Sequence, residues 1–448
     1  MVLKTSFAAS VIALSVACTG TSSEDVQDPT SSIADDDAGQ AISPQALAEH
    51  ISLENHSGSG APTAAKWGKQ PGTRHAAGGS DGTEDAGDVA VDAGQEEDTG
   101  AHSTGSAAVD AGEKKDVAVA PSASGLHASG GQILDANGAV VHLHGVNRSG
   151  SEFACVGGYG FFDGPADQAS ITAMKTWNIN FVRVPLNEDC WLGINGVSAA
   201  YSGENYQAAI EAYVALLVAN GLNVSVDLHW SAPGTTLATG QQAMADSDHA
   251  PAFWTSVATA FKGTGSVMFE LYNEPWPDND QDTTEAWTCW RDGGTCAGIS
   301  YPVAGMQTLV NTVRATGAKN LLLLGGVEYS NALSQWATYK PTDSLNNLAA
   351  AWHAYVSNAC ASTSCFDQIE APLAAAFPIV ATEVGDSTCN ATFPATVMTW
   401  LDAHGLGYSA WTWNAWGSAC TNYSLISDYT GTPNGAYGEA FQTHFLSL

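Results

Sequence analysis

Eight short apolar runs from residue 140 onward, separated by helix-patterned stretches, constrain the fold of this chain more than any other feature. They are residues 140–146, 179–186, 222–230, 267–273, 321–325, 348–355, 379–384 and 408–413. Helix candidates lie between them at 170–177, 206–220, 252–262, 303–316 and 395–404. In 206–220 the apolar residues recur at helical spacing, and Gly221 follows as a stop. Runs apolar on both faces read as parallel strands covered by crossover helices. Eight such units close into an α/β (β/α)8 TIM barrel, and residues 123–448 have the length for one with loop insertions. The competing architecture, an open doubly wound sheet, carries a Gly-rich nucleotide turn after its first strand, and none is present. An N-terminal β-hairpin is expected ahead of the barrel. Residues 132–134 and 139–144 would form it across the turn Asp135-Ala136-Asn137-Gly138.

In such a barrel the chemistry sits at the carboxyl ends of the strands. Those ends are unusually polar for apolar strands. The second run carries Val182-Arg183-Val184-Pro185, the third ends Asp227-Leu228-His229-Trp230, and the fourth ends Tyr272-Asn273-Glu274-Pro275. The sixth ends His353-Ala354-Tyr355, the seventh Thr382-Glu383-Val384, and the eighth Trp411-Thr412-Trp413-Asn414. One such group could be a satisfied structural residue; six at one geometric level point to a site. Glu274 and Glu383 form the central pair. Retaining glycoside hydrolysis uses two carboxyls about 5–5.5 Å apart, one protonating the leaving oxygen and one attacking the sugar carbon. Arg183 beside Glu383 would keep that carboxylate ionised, with Tyr355 placed to donate to it. Glu274 would stay protonated in a more apolar setting near Trp276 or Trp413. Glu270 and Glu328 read as structural or peripheral. With 27 acids and 8 bases in 123–448, most acids cannot owe their presence to a salt bridge.

Together, Asn273-Glu274-Pro275, Val182-Arg183-Val184-Pro185, Asp227-Leu228-His229, His353-Ala354-Tyr355, Thr382-Glu383 and Trp411-Thr412-Trp413 resemble glycoside hydrolase family 5, the cellulase-like family. The resemblance covers about 145–445. It implies Glu274 as general acid/base, Glu383 as nucleophile and Asn273 as holder of the sugar 2-hydroxyl. It further implies Arg183 and Tyr355 as orienters of the nucleophile, His353 as tuner of the acid, His229 as a sugar contact and Trp413 as a stacking platform. The opening Gly145-Val146-Asn147-Arg148-Ser149-Gly150 keeps Gly-x-Asn but continues unusually, and the loop 287–296 is an addition. The expected activity is endo-β-1,4-glucanase. Mannanase, other β-glucanase or galactanase specificity, and a catalytically inactive carbohydrate-binding lipoprotein, are the alternatives. Aromatics suit a carbohydrate, because sugar faces stack on rings. Trp230, Trp276, Trp287, Trp290, Trp413 and Trp416 fall at strand ends or in following loops; Trp177, Trp254 and Trp400 fit helix cores, and Trp191 is undecided. His142 and His144 alternate on a strand with no third ligand in spacing. No catalytic metal and no cofactor are therefore expected, while acidic loops leave structural calcium open.

The amino-terminal quarter differs in kind. Residues 1–18 read as an export signal: Lys4, an apolar stretch 7–16 too short to span a bilayer, then Ser15-Val16-Ala17 before Cys18. That arrangement resembles a bacterial lipoprotein signal with Cys18 lipidated; an ordinary secretory signal is the alternative. Residues 19–122 hold 19 acids, 5 bases and few large apolar residues, and read as a disordered acidic Gly/Ala/Ser-rich linker with a reach of about 50–60 Å. Within it Gly78-Gly79-Ser80-Asp81-Gly82 matches an esterase elbow by accident, since no strand precedes it. With Cys18 set aside, eight cysteines remain, an even number suited to an oxidising compartment. Cys289/Cys296 and Cys360/Cys365 are close enough to pair locally. The barrel pairs Cys155 with Cys190 and Cys389 with Cys420, on neighbouring loops of one rim. A net charge of −32 excludes nucleic acid as a partner and docking on anionic lipid. The expectation is a monomer acting on a β-linked polysaccharide, exported either as an outer-membrane or cell-surface lipoprotein touching membrane only through its anchor, or as a secreted protein.

Overall fold

The computed structural model describes residues 125–417 and 423–448. The expectations for 1–18, Cys18, 19–122 and Cys420 lie outside the described residues. Eight parallel strands close into a barrel in chain order: His144–Asn147, Phe181–Asn187, Asn223–Trp230, Val267–Glu270, Leu322–Gly325, Leu348–Tyr355, Ile379–Gly385 and Gly407–Ala410. They are called the first to eighth barrel strands below. The eighth pairs with the first (Ser409 with Gly145), which completes the closure. The expected helices form at Gln168–Lys175, Glu204–Ala219, Ala250–Phe261, Met306–Ala315 and Thr392–Ala403. Gly221 lies just past the end of the second of these with φ near 80°, a conformation that glycine adopts without steric cost.

Alternation along each strand divides the apolar side chains into two sets. Val182, Val184, Val224, Val226, Phe269, Leu322 and Leu324 face the helices and join the large outer core. Phe181, Met268, Leu321, Leu323, Ala349, Ala351 and Val380 face inward and fill one end of the barrel, where Leu126, Ile133 and Leu143 plug it. The opposite, carboxyl-terminal end carries polar residues on the same inward positions: Arg183, Asp227, Glu270 and His353 are all fully buried.

Two local expectations change. Gln132–Leu134 pairs mainly with His127–Ser129, not with 139–144. The turn does form, with the Gly138 N–H donating to the Asp135 carbonyl at 3.0 Å, but beyond it only the Leu134–Val140 bridge closes. The chain is then drawn away because His144 must enter the barrel beside Phe181 and Tyr408. The helix expected from 303 starts only at Met306, because Val303–Ala304 pairs with Gly293–Gly294.

Three disulfides join the expected partners, Cys155–Cys190, Cys289–Cys296 and Cys360–Cys365. Cys389 is disulfide-bonded as well; its expected partner Cys420 lies outside the described residues. Cys155–Cys190 spans 35 residues and ties the loop after the first strand to the short helix Glu188–Leu192 after the second. Its removal in a Cys155→Ser/Cys190→Ser variant is expected to lower stability by about 2–4 kcal/mol, measured by urea unfolding against the parent.

Candidate active site

Arg183 sits at the centre of the polar rim. The second strand turns Val182 and Val184 toward the helices and so points Arg183 inward, where no water reaches it. Its Nε donates to Glu270 Oε2 at 2.7 Å and its Nη2 to Glu270 Oε1 at 3.2 Å, a two-pronged pair. Nη1 donates to Asn147 Oδ1 at 2.9 Å and to Glu383 Oε1 at 2.8 Å. Nη2 also donates to Asn273 Oδ1 at 2.7 Å and stands 3.2 Å from Asp227 Oδ2. The partners come from the first, third and seventh strands and from the fourth strand with the turn that follows it. The surrounding carboxylates raise the guanidinium's pKa further despite its burial.

Glu383 owes its inward direction to an irregularity. Between the sixth and seventh strands the register steps from Ala351–Val380 to His353–Glu383, two residues on one side against three on the other. This bulge lets neighbouring residues of the seventh strand both reach inside. Thr382 Oγ1 donates to Glu270 Oε1 at 2.8 Å, and Glu383 meets Arg183. Tyr355 Oη donates to Glu383 Oε2 at 2.6 Å. Glu274 lies in the turn after the fourth strand. Its Oε1 is 2.8 Å from His353 Nδ1, and its Oε2 accepts from Gln241 Nε2 at 2.9 Å. A carboxylate oxygen of Glu274, one of Glu383 and a ring nitrogen of His353 all lie within 4.8 Å of one another. The two acids, 109 positions apart in the sequence, therefore face each other across one groove.

Among the remaining expected residues, Asn273 is fixed at both ends of its amide, accepting from Arg183 and donating from Nδ2 to Gln241 Oε1 at 2.8 Å. His229 is held by Asp227 Oδ2 at 2.8 Å and stacks on Trp411, with ring centroids 5.6 Å apart. Trp276 is half-buried and stacks on Tyr329. Trp230, nearly buried, packs on Phe153, and the half-buried Trp416 packs on the same ring.

Trp413 is not a stacking platform. It is fully buried, edge-on to Trp177 at 4.8 Å. The eighth strand ends at Ala410, and the Trp413 N–H then donates to the Asn147 carbonyl at 2.8 Å, which swings the ring out of the barrel mouth into the helix layer. Trp411 takes the place beside His229. Trp287 and Trp290 are likewise fully buried, packed on each other, and Trp191 is core against Tyr206 and Phe253. Sequence reasoning missed Gln241, which lies in the long loop after the third strand and carries no motif. It passed over Asn147, Asp227 and Trp411 as roles although it had quoted each within a motif.

The electrostatics also depart from expectation. Glu274 was expected to be held protonated by apolar surroundings. Burial does act that way, but the hydrogen bond and charge of His353 outweigh it and hold this carboxyl below its usual range. Burial pushes Glu383 up, opposed by His353 and Arg183. For His353, burial alone would favour the neutral ring, yet Glu383, Glu270 and Glu274 together push it up to about 10. Glu274 and His353 thus form a 2.8 Å pair in which the ring, more than the carboxyl, favours the proton.

A family model described as cellulase (glycosyl hydrolase family 5) matches residues 134–417, well over half of the chain. A manganese-dependent endoglucanase from Phanerodontia chrysosporium is 26% identical over 204 residues, which are 44% of this chain and 46% of that protein. The chain thus spans less than half the length of this curated relative. Among solved structures, the catalytic domain of a mannanase from Streptomyces sp. SirexAA-E is 20% identical with a TM-score of 0.53, covering 73% of this chain and 92% of that one. A β-glucanase from Saccharophagus degradans is 16% identical with a TM-score of 0.55, covering 76% of this chain and 98% of that one. These two likenesses establish the barrel fold.

Replacing Arg183 by Met leaves Glu270 buried without its cation, so Arg183→Met is expected to destabilise the protein by about 3–5 kcal/mol. Adding Glu270→Gln should restore part of that loss, read as non-additivity in a double-mutant cycle by urea unfolding. His353 is raised above its unfolded value of 6.5, so the stability it supplies is complete below pH 6.5 and is lost as pH rises through about 10. The stability gap between the parent and His353→Gln should therefore narrow steadily from pH 6.5 to 10, and a gap constant with pH would refute the assignment.

Proposed function

The chain belongs to the cellulase family, glycosyl hydrolase family 5, and is a glycoside hydrolase; we propose that it cleaves an internal β-1,4-glucan linkage with retention of anomeric configuration. The observation that carries the stereochemical reading is the approach of Glu274 and Glu383 oxygens to within 4.8 Å. Retaining enzymes hold their carboxyls about 5–5.5 Å apart, whereas inverting enzymes leave about 6.5–9.5 Å for a water.

In the first step a Glu383 oxygen attacks the anomeric carbon as the glycosidic bond breaks, and the leaving oxygen takes a proton from the Glu274–His353 pair. Arg183 and Tyr355, each bonded to a different oxygen of Glu383, fix the attacking carboxylate. Attack turns Glu383 into a neutral ester. That removes the leading charge keeping the proton on His353, so the pair becomes a stronger acid as the leaving group needs it. In the second step Glu274 accepts a proton from water, the water oxygen attacks the anomeric carbon, and the ester bond breaks to restore Glu383. Asn273, locked by Arg183 and Gln241, is the donor for the sugar 2-hydroxyl, and His229 with Trp411, Trp276 and Trp230 lines the sugar path. The same reading makes residues 123–448 the catalytic unit of a monomer on an acidic tether, exported and anchored through lipidated Cys18.

Glu383→Gln is expected to lower hydrolysis of carboxymethylcellulose by several orders of magnitude while oligosaccharide binding persists; unchanged hydrolysis would remove the mechanism. Among barley β-glucan, cellulose, mannan and galactan, the β-1,4-glucans should be cleaved fastest, scored by reducing ends, and preference for mannan would replace the glucanase assignment.

A further inference from the structure

A second group of acids lies outside the catalytic rim. Glu188 opens the short helix after the second strand, and Asp246, Asp248 and His249 close the long loop that runs from the third strand to the helix Ala250–Phe261. Glu188 and Asp246 are buried (0% and 1% exposed), and each has one carboxylate oxygen, Oε1 and Oδ2, with no hydrogen-bond partner. The two carboxyls face each other, and Asp248 adjoins Asp246 as well. Among the described residues no Lys or Arg pairs with either of them. The nearby basic group is His249, whose Nδ1 is 3.9 Å from Glu188 Oε2, 3.8 Å from Asp246 Oδ1 and 3.3 Å from the Ala232 carbonyl, all longer than a close hydrogen bond. Its Nε2 is 3.9 Å from Asp248 Oδ2.

Two like charges buried in contact are costly unless a proton or a cation lies between them. Burial pushes both carboxyls up from their usual range. The geometry suits a cation instead. Ligand atoms of Glu188, Asp189 and His249 lie within 4.8 Å of one another, and so do those of Asp246, Asp248 and His249. Ligands on opposite sides of an ion with bonds of about 2.3–2.6 Å are separated by about that distance. Both oxygens of Asp189 are taken, by the Ala238 N–H and by Asn195, while Asp246 Oδ1 accepts from the His249 N–H and Asp248 Oδ2 from the Gly234 N–H, each at 2.8 Å; Glu188 Oε1 and Asp246 Oδ2 are left unpaired beside His249 and the exposed Asp248. The exposed edge of Asp248 provides an entry path.

We infer that Glu188, Asp246, Asp248 and His249 bind one divalent cation of the oxygen-preferring class that also accepts imidazole, with Mn2+ favoured over Ca2+ by the histidine. The ion would tie the loop 231–249 to the short helix after the second strand. That loop carries Gln241, whose amide holds both Glu274 and Asn273, so the ion acts as a brace behind the acid and takes no part in bond cleavage.

The full chain, stripped with EDTA, is titrated with MnCl2 while the electron paramagnetic resonance signal of free Mn2+ is followed. Thermal melting is recorded with and without 1 mM MnCl2 or CaCl2. One Mn2+ should disappear from solution per chain, Ca2+ should compete for the site, and the melting temperature should rise by about 3 °C or more. Glu188→Gln/Asp246→Asn should lose both responses and, without metal, melt no lower than the parent, since two buried charges are gone. Should that variant fail to fold, Asp248→Asn at the exposed edge is expected to weaken Mn2+ binding at least about tenfold. Absence of binding and of any melting shift in the parent overturns the proposal. So does a response that survives undiminished in these variants, which would place the ion elsewhere, for example between Glu274, His353 and Glu383.

Discussion

One fully buried guanidinium organises the catalytic end of the barrel. Arg183 reaches carboxylates or amides contributed by four other strand ends, and every nitrogen of its planar head is engaged. A charge taken out of water is tolerated only when it is paired and hydrogen-bonded on all sides. The converse holds for the acids: Asp227, Glu270 and Glu383 can be packed together in a barrel mouth because a permanent cation stands among them. A lysine would not serve, since its point charge cannot present the fork that holds Glu270 with two bonds and still direct the remaining hydrogens to Asn147, Asn273 and Glu383.

That arrangement separates the work of the two central carboxylates. Glu383 is bound by two donors whose protons do not leave near neutral pH, Arg183 and the strongly shifted Tyr355 phenol. Glu274 is bound by one group that can exchange a proton, His353, and by an amide that cannot. A carboxylate with fixed donors is suited to attack, and one beside an imidazole is suited to give and take a proton. The asymmetry comes from partners, not from the polarity of the surroundings, which is why the expected apolar setting for Glu274 proved unnecessary.

The legible part of the site was the part written in strand-end motifs. Asn273-Glu274-Pro275, Arg183 and His353-Ala354-Tyr355 are each local in sequence, and strand alternation alone sends Arg183 and His353 inward. Residues whose direction depends on where the chain leaves a strand were misread. Trp413 follows the eighth strand by three residues, and its backbone bond to Asn147 carries it into the helix layer, leaving Trp411 at the mouth. Gln241 sits in a loop with no periodicity, so no pattern announced that it would reach both Glu274 and Asn273. The hairpin failed in a related way. Asn137-Gly138 specified the turn, but which segment completed the ladder depended on the pull of the first strand into the barrel.

The sequence by itself determined eight buried strands, their order, the helices between them, and the residue types delivered to one rim, because periodicity and turn chemistry are short-range properties of the chain. It also determined which neighbouring cysteines could meet. Only the tertiary structure decided that Glu383 points inward. Strict alternation with Val380 and Thr382 would have turned it toward the helices, and the extra residue in the seventh strand, visible only in its register against the sixth, reverses that. It likewise decided that His353 stands among Glu270, Glu274 and Glu383 and that Glu188 meets Asp246. A side chain's charge state and its unpaired oxygens depend on groups far along the chain, brought within a few ångströms only when the barrel closes.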